Sequence, residues 1–335
     1  MKYLFELSKE HKSIPSSEIF ASLTAEEIRY KIIKSTEDVL IIETDSKKEK
    51  LKKLANRLSF TYYIDKLLFF CSNSTNEIKK LSNENNIVEK GSIAIKYKNR
   101  SKNISSQSIV KVLAESYTKN RKVILKNPDI EIRVLITDPI IYVGIKIADV
   151  NRSQFEDRKV QNRPYFSPIS LHPKIARALV NLSSIKKKEN LLDPFCGTGG
   201  ILIEAGLIGV KIIGSDIEEK MIKGCKKNLD FYNIKNYRLF CCDIGKIKKH
   251  VSKIDAIITD LPYGKSTTTK GEKREVLYDR AFQCISNLLK DKGTAVIGLS
   301  DKNLIQLGKK YFNLLERHSF YVHKSLKRYF VVFKK

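Results

Sequence analysis

The hydrophobic and polar positions of residues 169–335 alternate between short apolar runs and longer stretches with helical spacing. The short runs are NLLD, KIIGSD, YRLFCCD, DAIITD and TAVIGL, and segments such as EKMIKGCKKNLDFY lie between them. Strands that alternate with helices predict an α/β fold with a parallel, doubly wound sheet. The tail LLERHSFYVHKSLKRYFVVFKK holds two strand-like runs without a helix between them, so we expect an antiparallel pair at the edge of that sheet.

The pattern before residue 169 is mixed. KYLFEL and DVLIIET predict strands, and the stretches Ile14–Leu23 and Glu26–Lys34 predict helices, which together make a small α/β domain of residues 1–46. Residues 47–150 follow with a basic amphipathic stretch, a basic strand, a helix and two or three further strands, and we assign them to a second domain. Residues 151–168 are polar, basic and aromatic without periodicity, which predicts a linker before the third domain.

The charge of the chain is strongly positive and unevenly spread. Lys and Arg number 63 against 37 Asp and Glu, which gives a net charge of +26. Residues 47–126 carry 19 basic and 6 acidic side chains, whereas residues 1–46 carry 6 basic and 9 acidic ones. Codon usage in an AT-rich genome also raises lysine content, but it would not leave the N-terminal segment acidic. We therefore expect a polyanionic partner, and nucleic acid is the polyanion that this charge favours.

Membrane and metal chemistry are both disfavoured by the sequence. No run of about 18 apolar residues is present, which excludes a transmembrane helix. Glu6 and Glu10 interrupt the segment where a signal peptide needs an apolar core, so we expect a cytoplasmic protein, and a monomer. The six cysteines form no Cys-x-x-Cys motif and no Cys/His pair at zinc spacing, so we expect reduced thiols and no metal.

A glycine-rich turn follows the first strand of the C-terminal domain, in LLDPFCGTGGILIEA. Small residues at this place let a ligand approach the backbone where a strand turns into a helix. A dinucleotide site needs a third glycine, but position 202 is leucine, which together with the basic charge argues against a nicotinamide oxidoreductase. Asp193 suits a cation instead, such as the ammonium and sulfonium of S-adenosylmethionine. Phe195, Gly197 and Gly199 are assigned to the same site.

The next strands of this domain also end in aspartate. Asp216 is placed to accept both hydroxyls of a nucleoside ribose, and Asp243 to accept from an adenine amino group. Ile217 and Ile244, which follow them, are assigned to the same cofactor site. A helix N-cap or a turn explains any one such aspartate. Four in succession, with a glycine-rich turn after the first, favour a nucleoside cofactor.

The fourth strand ends in IITDLPYG, which holds Asp260, Leu261, Pro262 and Tyr263. Proline and glycine end strands, so a plain turn is the simpler interpretation. An exocyclic aromatic amine, however, is a poor nucleophile that a carboxylate and a carbonyl can orient by accepting its two N–H bonds. We predict that Asp260 and the carbonyls of Leu261 and Pro262 form this amine clamp, and that Tyr263 stacks on a flipped base.

DPFCGTGG with DLPYG downstream resembles the signature of S-adenosylmethionine-dependent amino-methyltransferases that act on nucleic acid. LKNPDIEIRVLI resembles the end of a THUMP domain, and RPYFSPISLHPKIARALVNL with HKSLKRYFVV resembles the archaeal tRNA (guanine-10-N2)-dimethyltransferase family. This resemblance implies an N-terminal ferredoxin-like domain, a THUMP domain that binds the tRNA acceptor end, and a Rossmann-like methyltransferase domain. It also implies transfer of one or two methyl groups to N2 of guanine in tRNA. Leu261 replaces the second proline of many relatives, and we expect activity to survive because the carbonyl acts there.

The basic zone before KNPD holds the candidate RNA contacts Arg100, Lys102, Arg121 and Lys122. Residues 265–275 form a basic, Ser/Thr-rich loop that either covers the target nucleotide or is simply solvated. Three alternatives stay open: guanine N2 at another tRNA or rRNA position, adenine N6 in DNA, and a non-catalytic RNA-binding protein with a relict cofactor fold. The basic N-terminal half favours structured RNA over DNA, and the intact aspartates favour an enzyme.

Overall fold

The computed structural model describes residues 1–167, 170–262, 273–323 and 326–335. These residues divide into two compact units. The first unit holds residues 1–10, 28–56 and 61–150, and the second holds residues 11–27, 57–60 and 151–335. In the described part of the chain no helix combines the length and the apolarity needed to span a membrane.

The secondary structure elements follow one another along the chain in two groups. Those up to residue 150 are β1 (Lys2–Leu7), α1 (Ile14–Ala25), β2 (Lys31–Ser35), β3 (Val39–Glu43), α2 (Lys48–Ala55), β4 (Thr61–Ser72), α3 (Thr75–Glu84), β5 (Ile93–Asn99), α4 (Ser106–Tyr117), β6 (Ile130–Ile136) and β7 (Ile140–Asp149). Those after it are α5 (Gln154–Asp157), a 3-10 turn (Val160–Asn162), α6 (Pro173–Leu182), β8 (Asn190–Asp193), α7 (Gly200–Leu207), β9 (Lys211–Asp216), α8 (Glu219–Phe231), β10 (Tyr237–Cys241), a 3-10 turn (Ile247–Lys249), β11 (Ile254–Asp260), α9 (Arg274–Leu288), β12 (Leu289–Leu299), α10 (Leu304–Gly308), β13 (Asn313–His323) and β14 (Leu326–Lys334).

The strands of the first unit form one sheet in the order β2-β3-β1-β4-β7-β6-β5. β5 and β6 run parallel, and the other neighbours run antiparallel. β1 pairs with β4, with Tyr3 beside Lys66. Residues on both sides of the predicted boundary at residue 46 therefore share one sheet. The helix predicted over Glu26–Lys34 is wrong, since this stretch holds most of β2, which pairs with β3.

Helices α3 and α4 supply apolar side chains to the core of this unit. Ile78 of α3 and Ile109 and Leu113 of α4 are fully buried together with Ile132 of β6. No residue of β6 is exposed, as expected for an interior strand that is covered on both faces. The division of this unit into ferredoxin-like and THUMP domains stays an expectation from the resemblance.

The strands of the second unit form a sheet in the order β10-β9-β8-β11-β12-β14-β13. β8 to β12 run parallel, whereas β14 joins β12 antiparallel and β13 pairs with β14 at the edge. The predicted doubly wound sheet and its antiparallel edge pair are both confirmed. The strand order reverses at β8, which lies between β9 and β11. In open α/β sheets the ligand crevice lies at such a point, outside the carboxyl ends of the strands.

Helices cover both faces of this second sheet. On one face, α6, α7 and α8 bury Leu179, Leu202 and Leu229, and Ile14 of α1 joins the same core. On the other face, α9 buries Phe282 and Ile285. The sheet edge that carries the strand ends is therefore held between two closely packed layers, which makes it a rigid base for a site.

Glu18 of α1 explains why two N-terminal segments belong to the second unit. Its fully buried carboxylate accepts hydrogen bonds from the backbone N–H groups of Ser59 and Phe60, at 2.9 and 2.8 Å, and from Nδ2 of Asn181 at 2.8 Å. A buried carboxylate is costly without such donors, and burial still raises the pKa of Glu18. The bonds therefore fix residues 11–27 and 57–60 to helix α6. These two segments belong to the second unit although the rest of that unit begins only at residue 151.

Candidate active site

The structure places the four predicted aspartates at the carboxyl ends of parallel strands. Asp193, Asp216 and Asp260 are the last residues of β8, β9 and β11, and Asp243 follows β10 by two residues. Four carboxylates along one sheet edge raise the question of a metal. Among the described residues, no three His, Cys, Asp or Glu side chains converge as ligands. The four carboxylates are hydrogen-bond acceptors, and their partners differ.

The glycine-rich turn after β8 has the backbone that only glycine adopts easily. Gly197 and Gly199 have φ angles of 49° and 86°, in the left-handed region. A Cβ atom at Gly199 would lie 2.7 Å from Sγ of Cys225, so this glycine lets α7 approach α8. A Cβ atom at Gly197 would meet no atom within 4 Å, so the turn there borders open space. The role of Gly197 in ligand binding stays a prediction, and this open space is compatible with it.

Asp193 joins this turn to the neighbouring strand. Its Oδ1 atom accepts from the hydroxyl of Thr259 at 2.7 Å and from the N–H of Phe195 at 3.1 Å. The side chain is almost fully buried, and burial raises the pKa of Asp193 to about 7 in spite of these donors; the charges of Asp216 and Asp260 raise it further. Asp193 therefore fixes the glycine turn, and Thr259 is a partner that sequence reasoning missed.

Asp216 holds the other side of the same turn. Its Oδ2 atom accepts from the N–H of Gly197 at 3.0 Å, and its Oδ1 atom accepts from the N–H of Glu218 at 3.0 Å. Burial raises the pKa of Asp216. Each oxygen keeps a second lone pair, so the carboxylate can still accept two hydroxyl groups.

Asp243 is part of an ion pair that the sequence did not predict. Both of its oxygens accept from the guanidinium of Arg280 on α9, and Oδ1 also accepts from the N–H of Gly245 at 2.8 Å. The hydrogen bond from Arg280 lowers the pKa of Asp243. Since Oδ2 carries a single donor, one acceptor position remains for an amino group.

The three apolar residues assigned to the cofactor site have different surroundings. Phe195 is half-buried against the core, and Ile217 is half-buried at the end of β9. Ile244 is a core residue, 2% exposed, and its carbonyl accepts from the thiol of Cys284. The side chain of Ile244 is therefore not on the cleft surface. Of this residue, only the backbone stays a candidate contact to the cofactor.

Asp260 lies in a buried ion pair with Arg328 of β14. The Oδ2 atom of Asp260 is 2.7 Å from Nη1 of Arg328, and the two side chains are 19% and 5% exposed. Burial raises the pKa of Asp260 to about 6, although the charge of Arg328 opposes this shift. The Oδ1 atom lies over Gly298 of β12, where a Cβ atom would come within 2.3 Å of it. An arginine within the apolar run RYFVVF was the sequence signal for this pair.

The residues after Asp260 divide between core and cleft. Leu261 is buried in the core, and its N–H donates to the carbonyl of Gly298 at 3.1 Å, so its side chain has no part in a clamp. The carbonyl of Pro262 already accepts from the hydroxyl of Tyr278 on α9, a residue that sequence reasoning missed. Tyr263 and most of the predicted 265–275 loop lie outside the described residues.

The predicted linker contains ordered structure that contacts the glycine turn. It holds α5 and a 3-10 turn, and it belongs to the second unit. Asn228 of α8 accepts from the N–H of Tyr165 at 2.9 Å and donates to the carbonyls of Tyr165 and Thr198 at 3.1 and 3.0 Å. Ser170 lies 3.2 Å from the hydroxyl of Thr198. The segment around Tyr165 is therefore a wall of the site rather than a flexible connection.

Only part of the predicted RNA-binding set is available to an RNA. Lys102 and Lys122 are exposed. Arg100 is 9% exposed and pairs with Glu6 and Asp38 at 2.8 Å each. The guanidinium of Arg121 donates to the carbonyls of Glu89 and Ile87 at 2.7 and 2.6 Å. Arg100 therefore stabilises the first unit from within and is withdrawn as a phosphate contact, and Arg121 is at least partly engaged by the backbone.

Comparison with known families identifies the second unit. The methyltransferase domain family described as RMKL-like matches residues 161–329, and a DNA methylase family matches residues 18–227. The first match covers strands β8 to β13 with the four aspartates and ends within β14, at Tyr329. The strand-end aspartates and the glycine turn thus belong to a methyltransferase domain.

Full-length comparisons agree with this result. The tRNA (guanine(10)-N2)-dimethyltransferase of Methanothermobacter thermautotrophicus is 32% identical over 332 residues, which is 98% of each chain. The protein of the same name from Methanocaldococcus jannaschii is 32% identical over 359 residues, 99% of each chain. Among solved structures, TrmN from Thermus thermophilus has a TM-score of 0.58 over the whole of both chains at 17% identity. SMU.472 in complex with SAH has a TM-score of 0.53 at 15% identity, over 99% of this chain and 97% of that one. These structures confirm the expected Rossmann-like fold.

Proposed function

This chain belongs to the tRNA (guanine(10)-N2)-dimethyltransferase family, and on that premise we propose that it methylates N2 of guanine 10 in tRNA with S-adenosylmethionine as the methyl donor. The product is N2-methylguanosine, N2,N2-dimethylguanosine or both. The family named from the sequence is the one that the comparisons identify.

The residues along the strand ends fit S-adenosylmethionine. The open space at Gly197 leaves room for a ligand against the backbone. The free lone pairs of Asp216 suit two ribose hydroxyls, and the remaining acceptor position of Asp243 suits one adenine N–H. When bound, the cofactor supplies a methyl group on a sulfonium, which is electrophilic enough for an aromatic amine. Asp193 holds the turn that borders it.

The amine clamp that we propose consists of Asp260 and the backbone carbonyls of Leu261 and Pro262. Arg328 occupies Oδ2 of Asp260, so Oδ1 is the oxygen that accepts one N–H of guanine N2. The carbonyl of Pro262 has a second lone pair beside the bond from Tyr278, and it accepts the other N–H. These two bonds fix the nitrogen so that its lone pair points out of the ring plane, toward the methyl group. We assign the stacking of the base to Tyr263.

The same carboxylate also serves the proton balance of the reaction. When N2 gains the methyl group, it must lose one proton. The Oδ1 atom of Asp260 already accepts that hydrogen bond, and a pKa of about 6 lets it take the proton and release it to water near neutral pH. No covalent bond between enzyme and base is required.

Binding of the tRNA is assigned to the basic surface of the first unit, with Lys102 and Lys122 as phosphate contacts. Both lysines are exposed, and neither is ion-paired with an acidic side chain among the residues that the structure describes. Because Arg100 is engaged inside the unit, it contributes to this surface only by keeping the sheet intact.

The observation that carries the proposal is the ion-paired carboxylate of Asp260 at the end of β11, followed by Leu261 and Pro262, in a chain whose full-length relatives are named for guanine-N2 methylation. The test is incubation of unmodified tRNA transcripts with labelled S-adenosylmethionine, nuclease digestion and mass spectrometry of the nucleosides. We expect methylated guanosine from the wild-type transcript and none from a matched transcript with adenosine at position 10. Label at another guanosine would contradict the assigned position.

Adenine N6 in DNA is the second candidate, because a DNA methylase family matches residues 18–227. An adenine amino group would fit the same pair of acceptors. The assay therefore includes duplex and single-stranded DNA, and N6-methyladenosine or its deoxy form as the main product would replace the guanine assignment.

A further inference from the structure

Arg328 reaches the site because β14 runs antiparallel to the strands beside it. Phe330 pairs with Gly298 and Tyr329 pairs with Leu299, so the first residues of β14 lie at the carboxyl end of β12. β12 in turn pairs with β11, with Gly298 beside Asp260. Because β14 is antiparallel, its N-terminal end carries the cation Arg328 to the sheet edge at which the parallel strands end in carboxylates.

Stability alone is a weak reason for this cation. Arg328 is 4% exposed, and desolvation of a guanidinium and a carboxylate offsets much of their attraction. A buried ion pair can often be replaced by apolar residues of similar volume without loss of stability. The pair also lies at the mouth of the crevice, where the side chain of Asp260 keeps a part of its surface open. A role for the pair in the reaction is therefore worth examining.

Gly298 gives a second, independent sign that the position of this carboxylate is constrained. Its φ angle is not in the left-handed region, so the backbone does not require glycine. The requirement is space: a Cβ atom at this position would lie 2.3 Å from Oδ1 and 3.3 Å from Cα of Asp260. The carboxylate is thus bounded by Arg328 at Oδ2 and by the backbone of β12 beneath Oδ1.

We propose that Arg328 is a positioning residue, which holds Asp260 through Oδ2 so that Oδ1 faces the target amine, and that Gly298 keeps the space in which Oδ1 lies. This inference rests on the proposed function, since it assigns Asp260 to the amine. Arg328 itself touches neither the base nor the cofactor in this arrangement. We expect its effect on the reaction to pass through Asp260.

Three variants of the full-length protein test the proposal: Arg328→Gln, Arg328→Lys and Gly298→Ala. The measured quantities are the single-turnover rate at saturating tRNA and S-adenosylmethionine, the Kd for each, and the pH dependence of the rate. Exposed Arg317 on the same hairpin supplies the matched control Arg317→Gln. We expect Arg328→Gln and Gly298→Ala to lower the rate by about 30-fold or more, with each Kd within about threefold of wild type. Arg328→Lys should restore part of the rate, because it keeps the charge but not the geometry of the guanidinium.

The pH profile separates positioning from a general loss of structure. Within the described part of the chain, the charged groups that act on Asp260 are Arg328 on β14 and Asp193 on β8. Removal of the cation should move the acid limb of the rate profile to higher pH, since the carboxylate loses its stabilising partner. An unchanged rate in Arg328→Gln overturns the inference. So does a weaker Kd for tRNA with a normal saturated rate, because Arg328 would then be a phosphate contact.

If Arg328→Gln does not fold, comparison of Asp260→Asn with the double variant decides the matter. The double variant Asp260→Asn/Arg328→Gln leaves no unpaired buried charge, so it is the safer of the two for folding. If Arg328 acts only through Asp260, the double variant should match Asp260→Asn within about threefold. A double variant that is much slower than Asp260→Asn overturns the inference, because Arg328 would then act independently of Asp260. A wild-type enzyme that yields no methylguanosine overturns the proposed function itself, whereas an active wild type with an unaffected Arg328→Gln overturns this inference alone.

Discussion

The hydroxyl of Tyr278 donates a hydrogen bond to the carbonyl of Pro262. Tyr278 lies on α9, and its ring is buried in the hydrophobic core between this helix and the sheet. The hydrogen bond therefore connects a carbonyl of the crevice to a rigid helix. Tyr278→Phe keeps the ring and removes the bond. We expect the single-turnover rate to fall by about 5- to 10-fold, the equivalent of one hydrogen bond, with little change in the Kd for S-adenosylmethionine. Tyr311→Phe, which removes a hydroxyl bonded to Asp279, is the matched control. Equal rates for Tyr278→Phe and wild type would remove this bond from the mechanism.

The rate of methyl transfer should depend on the ionisation of Asp260. Burial raises the pKa of its carboxyl to about 6, and only the carboxylate accepts the amine N–H at Oδ1. We therefore expect the single-turnover rate to be level above about pH 7 and to fall about tenfold per pH unit well below pH 6. A stopped-time assay between pH 5 and pH 9 measures this acid limb of the rate profile. Asp260→Asn should be slower by about 100-fold or more and should lack it. A limb that persists in this variant would belong to another group.

Asp193 should make the second unit more stable in acid than in base. Burial raises the pKa of Asp193 from its usual 3.8 to about 7, so its contribution to stability is full below about pH 4 and is lost as the pH rises through 7. Asp193→Asn keeps an oxygen for Thr259 and Phe195 but cannot ionise. We expect it to exceed wild type in unfolding free energy at pH 8, by up to about 4 kcal/mol, and to approach it at pH 4.

Urea unfolding followed by circular dichroism measures this difference, since the chain has no tryptophan for fluorescence. Asp65 in the first unit has a pKa that burial likewise raises to about 7, but it is common to both proteins and cancels in the comparison. A stability difference that does not change between pH 4 and pH 8 would show that Asp193 keeps one protonation state throughout this range.

The two exposed lysines of the first unit should contribute to tRNA affinity without affecting chemistry. We expect Lys102→Ala and Lys122→Ala each to weaken tRNA binding several-fold and to reduce the slope of log K against log salt by about 1, as for one phosphate contact. The rate at saturating tRNA should not change. Lys31→Ala, an exposed lysine in the acidic N-terminal segment, is the control. Filter binding at several salt concentrations gives both quantities, and unchanged slopes would place the RNA on another surface.

Much of the second unit could be predicted because its signals are local. Each parallel strand is a short apolar run that ends in or near an aspartate, and Gly197 and Gly199 mark the turn through their own backbone requirement. These features need no knowledge of distant residues. The order of the elements then determines the sheet class and the edge on which the carboxylates meet.

The hydrogen-bonding partners of those aspartates could not be predicted from local sequence signals. Arg328 meets Asp260 only through the register of β14 on β12, and Arg280 meets Asp243 only through the packing of α9. The net charge likewise did not separate Lys102, which is exposed, from Arg100, which is buried in ion pairs. The change in composition at residue 46 likewise does not mark a change of sheet, because β1 pairs with β4 across it.

The chain passes from one unit to the other after residues 10, 27, 56, 60 and 150. A gene fragment that begins at the linker would encode the strands and aspartates of the second unit without α1, and it would leave Asn181 without Glu18. A single fusion at the linker would therefore not transfer the whole second unit, because residues 11–27 and 57–60 of that unit are encoded before it.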